Sequence, residues 1–208
     1  LDQVEETINI SSSVNEEKAP MLWLSEASSA EGLFLADTYF FTANTATSSI
    51  LTRAHKAMLD YVETQWQQRQ EDLPLNSPYD ALILASIIEK ETAVSAERTK
   101  IAGVFVNRLR KNMRLQTDPT VIYGIGDTYD GNITRKHLRT PTPYNTYTIK
   151  GLPPTPIAMA GKEAIWAALN PMETDALYFV ARGDGSHEFS SSLAAHNAAV
   201  RKYQLNRK

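Results

Sequence analysis

The sequence predicts an α+β fold, mostly helical, with a β-hairpin close to its C-terminus. Two observations carry this expectation. Several segments place apolar residues at helical spacing between recognisable start and stop signals. One late stretch instead alternates two short β-prone runs about a glycine-rich turn, Gly183-Asp184-Gly185-Ser186. The 208 residues show no internal repeat and suit one good-sized domain with an appendage.

Residues 1 to about 30 include Ser11-Ser12-Ser13 and Ser25-Glu26-Ala27-Ser28-Ser29, polar stretches expected to be a linker or the remnant of an upstream region, with the main domain spanning 31–208. A helix is expected from near Thr47, with Leu51, Ala54, Met58, Tyr61 or Val62, and Trp66 on its buried face, stopping before Pro74. The next helix opens at Ser77-Pro78-Tyr79-Asp80, where Ser77 caps, Pro78 fits the first helical position and Asp80 completes a capping box. A third runs from about Ser95 to Asn112, burying Ile101, Ala102, Phe105 and Leu109. Asp118-Pro119 caps and opens a short helix through Tyr123, which Gly124 and Gly126 end. From Asp127 to Pro156 the chain is rich in Gly, Pro, Asn and Thr and is expected to be irregular or briefly extended. A helix over Lys162 to Leu169 is closed by Asn170-Pro171; the hairpin of Leu177–Ala181 and His187–Ser190 follows. Ser192 starts a last helix with Leu193, His196 or Asn197, Val200 and Tyr203 on one face.

The helix after Ser77 is apolar nearly all round and ends in Glu89-Lys90-Glu91. At about 100° per residue, Glu91 shares a stripe with Leu84, Ile87 and Ile88, whereas Glu89 turns toward Leu82 and Ser86. Apolar neighbours and the negative end of the helix dipole both disfavour a charged Glu91, and so raise its pKa. A carboxyl kept protonated near neutral pH is what a general acid of glycosidic cleavage requires. The alternative is a solvated acid, or one paired with Lys90 or Arg98.

Twenty-one basic and twenty-four acidic side chains give a formal charge of −3, which argues against nucleic acid and against a basic membrane-binding surface. No cysteine is present, so disulfides and thiolate metal sites are excluded. His55, His137, His187 and His196 lack the spacing of a zinc protease and read as surface or core residues. Gly124-Ile125-Gly126-Asp127 lacks a dinucleotide fingerprint's third glycine, and the serine of Gly183-Asp184-Gly185-Ser186-His187 sits in a hairpin turn, not at a nucleophile elbow. No run reaches the roughly 20 apolar residues that span a bilayer.

Four ordered motifs, Glu91-Thr92, Leu115-Gln116-Thr117-Asp118, Tyr144-Asn145-Thr146-Tyr147 and Gly151-Leu152-Pro153-Pro154, resemble those of YceG-like (MltG-type) endolytic peptidoglycan transglycosylases. More loosely they resemble soluble lytic transglycosylases of goose-lysozyme-like fold. The similarity runs from about Glu31 to Asn197, with Ala36 standing where the family usually has proline. It implies a lysozyme-like catalytic domain, and ahead of it a LysM-like region and a single-pass anchor to the periplasmic face of the bacterial inner membrane; neither is recognisable in this sequence. The implied substrate is the glycan strand of peptidoglycan, cut between MurNAc and GlcNAc to leave 1,6-anhydro-MurNAc ends, with no metal or organic cofactor. The family also suggests strand termination near cell-wall synthases, although no residue here names such a partner.

On matching positions, Glu91 becomes the catalytic acid and base, and Gln116, Tyr144, Asn145 and Tyr147 become substrate-binding residues. Gln116 reads alternatively as a turn residue, and Tyr147 and Tyr144 as core plugs. Arg108, on the helix after the acid, is expected in a solvated salt bridge. Two other functions stay open: a hydrolytic muramidase using Asp118 or Glu97 to direct water, and a non-catalytic glycan-binding module.

Overall fold

The computed structural model describes residues 24, 27 and 29–205; most of the expected 1–30 linker therefore lies outside the described residues. Among the described residues, seven α-helices and one hairpin follow in order: α1 Thr47–Gln67, α2 Pro78–Glu91, α3 Ser95–Arg110, α4 Asp118–Ile125, α5 Arg135–Arg139, α6 Lys162–Leu169, β1 Tyr178–Ala181, β2 His187–Ser190 and α7 Leu193–Val200. The α+β expectation holds.

The centre of the molecule is α2, whose Leu84, Ile87 and Ile88 are fully buried. It packs against α1, α3, α4 and most extensively α6. Burial of each such aliphatic side chain stabilises by roughly 1.5–3 kcal/mol, so this helix is where the core gains most. Its start follows the sequence signals: Ser77 Oγ accepts from the Asp80 N–H at 3.3 Å and Pro78 occupies the first turn. The Asp80 carboxylate reaches one residue further back as well, accepting from the Asn76 N–H at 2.8 Å. Mid-helix, Ser86 donates to the Ile83 carbonyl at 2.7 Å and accepts from the Ile157 N–H at 2.9 Å, which satisfies its buried hydroxyl and ties down the chain after Pro153-Pro154. Thr92 ends the helix in an extended conformation, its hydroxyl accepting from Val94 N–H at 3.0 Å.

The hairpin pairs antiparallel in the register Tyr178 with Ser190, Phe179 with Phe189, Val180 with Glu188 and Ala181 with His187. Phe179 meets Phe105 of α3 edge-on, with ring centroids 5.8 Å apart, and so seats the sheet on the helices.

Two local expectations are corrected. The 127–156 segment is not wholly irregular: a 3-10 turn at Gly126–Thr128 and the short α5 interrupt it. A capping box forms α5, Thr134 Oγ1 accepting from His137 N–H while His137 Nδ1 accepts from Thr134 N–H, each at 3.3 Å. Gly124 does not end α4. It lies inside that helix, where a Cβ would stand 3.1 Å from both Thr142 Oγ1 and Tyr144 Cβ, and Gly126 at φ +64° supplies the stop. In α7, Leu193 is exposed, His196 and Val200 are partly buried, and Ala199 is the helix's buried residue.

Candidate active site

The C-terminal end of α2 forms the floor of a cleft of about 600 Å³, lined among others by Glu91, Arg108, Gln116, Thr117, Asp118 and Tyr147, and by residues of the hairpin and α7. That size falls in the usual range for small-ligand sites. Leu193, His196, Asn197 and Val200 line it too. The face of α7 that carries these residues is thus a cleft wall.

Glu91 is the partly buried acid of this cleft. Packing around it desolvates the carboxyl and raises its pKa, and the negative charge of Asp118 adds to the rise. The Thr117 hydroxyl, which donates to Glu91 Oε1, and the His187 charge act in the opposite sense without reversing it. Its position on the apolar stripe of α2 puts it there. Glu89 points elsewhere, its Oε2 accepting from the Gly161 N–H at 3.0 Å, and so holds the start of α6.

Thr117 is aimed by a strained turn. Gln116 has φ +52°, a left-handed conformation that costs a non-glycine residue roughly 1–3 kcal/mol and persists only when its surroundings impose it. They do so through the next motif. The Gln116 N–H donates to the Thr146 carbonyl at 3.2 Å, and the Thr117 N–H to Thr146 Oγ1 at 3.1 Å. Thr146 Oγ1 also hydrogen-bonds Thr120 Oγ1 at 2.8 Å, entirely out of solvent. The Leu-Gln-Thr-Asp and Tyr-Asn-Thr-Tyr motifs are therefore one clamp, with Thr117 and Asp118 at its tip.

The structure brings three of the expected site residues, Glu91, Gln116 and Tyr147, to the cleft, and it does not bring Tyr144 or Asn145 there. Gln116 is exposed, with Oε1 accepting from Arg108 Nη1 at 3.4 Å. Tyr147 donates its hydroxyl to Asp118 Oδ1 at 2.7 Å; burial and the acids nearby push its phenol pKa far up, so it stays neutral. Asn145 is buried and its amide is consumed by backbone: Nδ2 donates to His137 O at 3.0 Å and Thr140 O at 2.7 Å, and Oδ1 accepts from Tyr147 N–H at 2.9 Å. It staples the loop that carries Tyr147. Tyr144 packs its ring 4.8 Å from that of Tyr123 and hydrogen-bonds Thr155 Oγ1 at 2.9 Å, against the core.

Arg108 is corrected as well. It is buried, not solvated, with Nε donating to Leu177 O at 2.6 Å and Nη1 to Leu115 O at 2.8 Å. Its guanidinium lies 5.0 Å from the centroid of the Tyr178 ring and joins α3 to the motif turn and the hairpin. Glu97 lies outside the cleft lining; both its oxygens engage His187, Oε1 accepting from the backbone N–H at 3.0 Å and Oε2 lying 2.6 Å from Nδ1. Sequence reasoning missed His187, Tyr178 and His196 as cleft residues. The one signal available was the pair Gly183 and Gly185 just before His187, which presents a hairpin tip. Among the described residues, no group of three or more His, Asp or Glu is arranged to hold a metal ion.

The YceG-like family model matches residues 1–202. The endolytic murein transglycosylase of Bacillus subtilis (strain 168) is 42% identical over 174 residues, which are 83% of this chain and 48% of that protein. The protein of the same name from Streptococcus pneumoniae serotype 2 is 31% identical over 179 residues, covering 83% of this chain and 32% of the relative. The chain thus spans half or less of the length of these curated relatives. A crystal structure of a YceG-like protein from Listeria monocytogenes superposes with a TM-score of 0.69 at 39% identity, over 81% of this chain and 55% of the other. With a family model matched along nearly its whole length, the chain belongs to the YceG-like family.

Proposed function

We propose that residues 31–208 are the catalytic domain of an endolytic lytic transglycosylase that cuts the MurNAc-GlcNAc bond of peptidoglycan strands and leaves 1,6-anhydro-MurNAc ends. The observation that carries the reading is Glu91, an acid with a raised pKa at the floor of a cleft of saccharide size. The names of the Bacillus and Streptococcus relatives support it. We take the arrangement to be lysozyme-like, with the acid ending a buried helix between a helical body and a β-hairpin.

In this mechanism the protonated Glu91 gives its proton to the bridging oxygen as the bond to the MurNAc C1 breaks. Thr117 occupies Oε1, which leaves Oε2 to carry that proton. The carboxylate then takes the proton of the MurNAc C6 hydroxyl, whose oxygen closes on C1. No water enters. The cut strand lies outside the cytoplasm, so the domain is expected to work there, held by an anchor on a longer protein and beside the synthases that extend strands. Among the described residues, no helix is long and apolar enough to cross a membrane.

One observation favours a second reading: Asp118 lines the same cleft as Glu91 and could direct water as a muramidase does. Digestion of purified strands in oxygen-18 water separates the two. Transglycosylation yields unlabelled anhydro ends by mass spectrometry; label in the new muramyl ends would promote the muramidase. Glu91→Gln should lower cleavage by two or more orders of magnitude, on the scale of lost general acid catalysis. Full retention of cleavage in that variant would leave Glu91 a structural residue.

A further inference from the structure

His187 stands at the start of β2 and is among the residues that line the cleft with Glu91. Glu97 of α3 grips it twice, through the backbone N–H at 3.0 Å and through Nδ1 at 2.6 Å. The Phe179 ring meets it edge-on at 5.5 Å and 90°. The two partners are nearly enclosed, with side chains 12% and 16% exposed. A carboxylate–imidazole pair withdrawn from water is costly, and the backbone N–H contact alone would already tie the hairpin to α3. What the ring adds is orientation. With Nδ1–H directed at Glu97, Nε2 is the ring nitrogen left for a ligand in the cleft.

We infer that His187 is a substrate-contacting residue, and Glu97 its positioning residue, with Nε2 hydrogen-bonding a hydroxyl or the N-acetyl group of the bound saccharide. The inference rests on the glycan reading proposed above. His187 charge also reaches Glu91, acting to lower the pKa of that carboxyl, as expected for groups sharing one small cleft.

The test uses the Glu91→Gln chain with nitrogen-15 in its imidazoles and an uncrosslinked GlcNAc-MurNAc tetrasaccharide as probe. The chain has four histidines, and His187→Gln identifies the resonance of interest. On saturation the His187 Nε2 signal should move, while those of His55 and His137, which lie outside the cleft, stay fixed. Glu97→Ala should weaken tetrasaccharide binding about ten-fold, the worth of roughly one hydrogen bond, with Glu97→Gln in between because it keeps one acceptor. Binding with an unmoved His187 signal overturns the inference while the glycan reading stands. Absence of any binding, by calorimetry on the same sample, takes the glycan reading down and the inference with it.

Discussion

Thr117 donates its hydroxyl to the Glu91 carboxylate, joining the end of α2 to a turn 26 positions further along the chain. The contact opposes the effect of burial. Desolvation favours the protonated acid, while a donor that favours the charged form makes the proton easier to release. An acid that must give a proton and later recover one benefits from both influences.

Thr117→Val should therefore move the pH–rate profile. Removing the donor lets the Glu91 pKa rise further, so the alkaline limb, where the acid is lost by ionisation, shifts to higher pH. Maximal turnover should fall as well, because the carboxyl loses its fixed orientation. Turnover of glycan strands measured across pH checks both, and an alkaline limb displaced to lower pH would contradict the assignment.

Glu91 should also cost stability. Its folded-state pKa lies above that of the unfolded chain, so the native state binds the proton more tightly. The contribution is fully present below the unfolded carboxylate range and is lost as pH rises through the raised folded value. Glu91→Gln cannot ionise. Its melting temperature should exceed that of the parent at pH 8 and match it near pH 4, in calorimetric scans of the two proteins.

Asn145→Ala should act on folding rather than on substrate contact. The amide serves carbonyls at the C-terminal end of α5 and the Tyr147 N–H, and alanine leaves these buried groups without their partner. A loss of about 1–3 kcal/mol is expected in denaturant titrations. Activity should return when the variant is assayed well below its transition.

Much of this organisation was legible in the sequence because it is local. Ser77-Pro78 marks the start of α2, helical periodicity puts Glu91 on the buried stripe, and glycines around Asp184 mark the hairpin. What was not legible is long-range pairing. The Arg108 side chain reads as a surface cation on a helix, yet it is buried because carbonyls of Leu115 and Leu177 converge on it. Tyr144 and Asn145 read as sugar ligands beside Tyr147, but the loop's own hydrogen-bond needs claim them. His187 reads as a scattered histidine until the hairpin folds it onto Glu97.

Asp118 should tune Glu91 in the direction opposite to Thr117. Its negative charge makes a second one nearby less favourable and so raises the Glu91 pKa. Asp118→Asn removes the charge, keeps an oxygen to accept from the Tyr147 hydroxyl, and should move the alkaline limb of the pH–rate profile to lower pH. Because Asp118 is exposed, salt should screen this influence: the difference from the parent should shrink between low ionic strength and about 1 M salt, where the Debye length is about 3 Å. The Thr117 effect, which is a direct hydrogen bond, should persist under the same conditions. In the double variant the two shifts should oppose each other, with the larger Thr117 effect leaving a net displacement to higher pH. A muramidase relying on Asp118 would behave differently, losing turnover by orders of magnitude at every pH in Asp118→Asn.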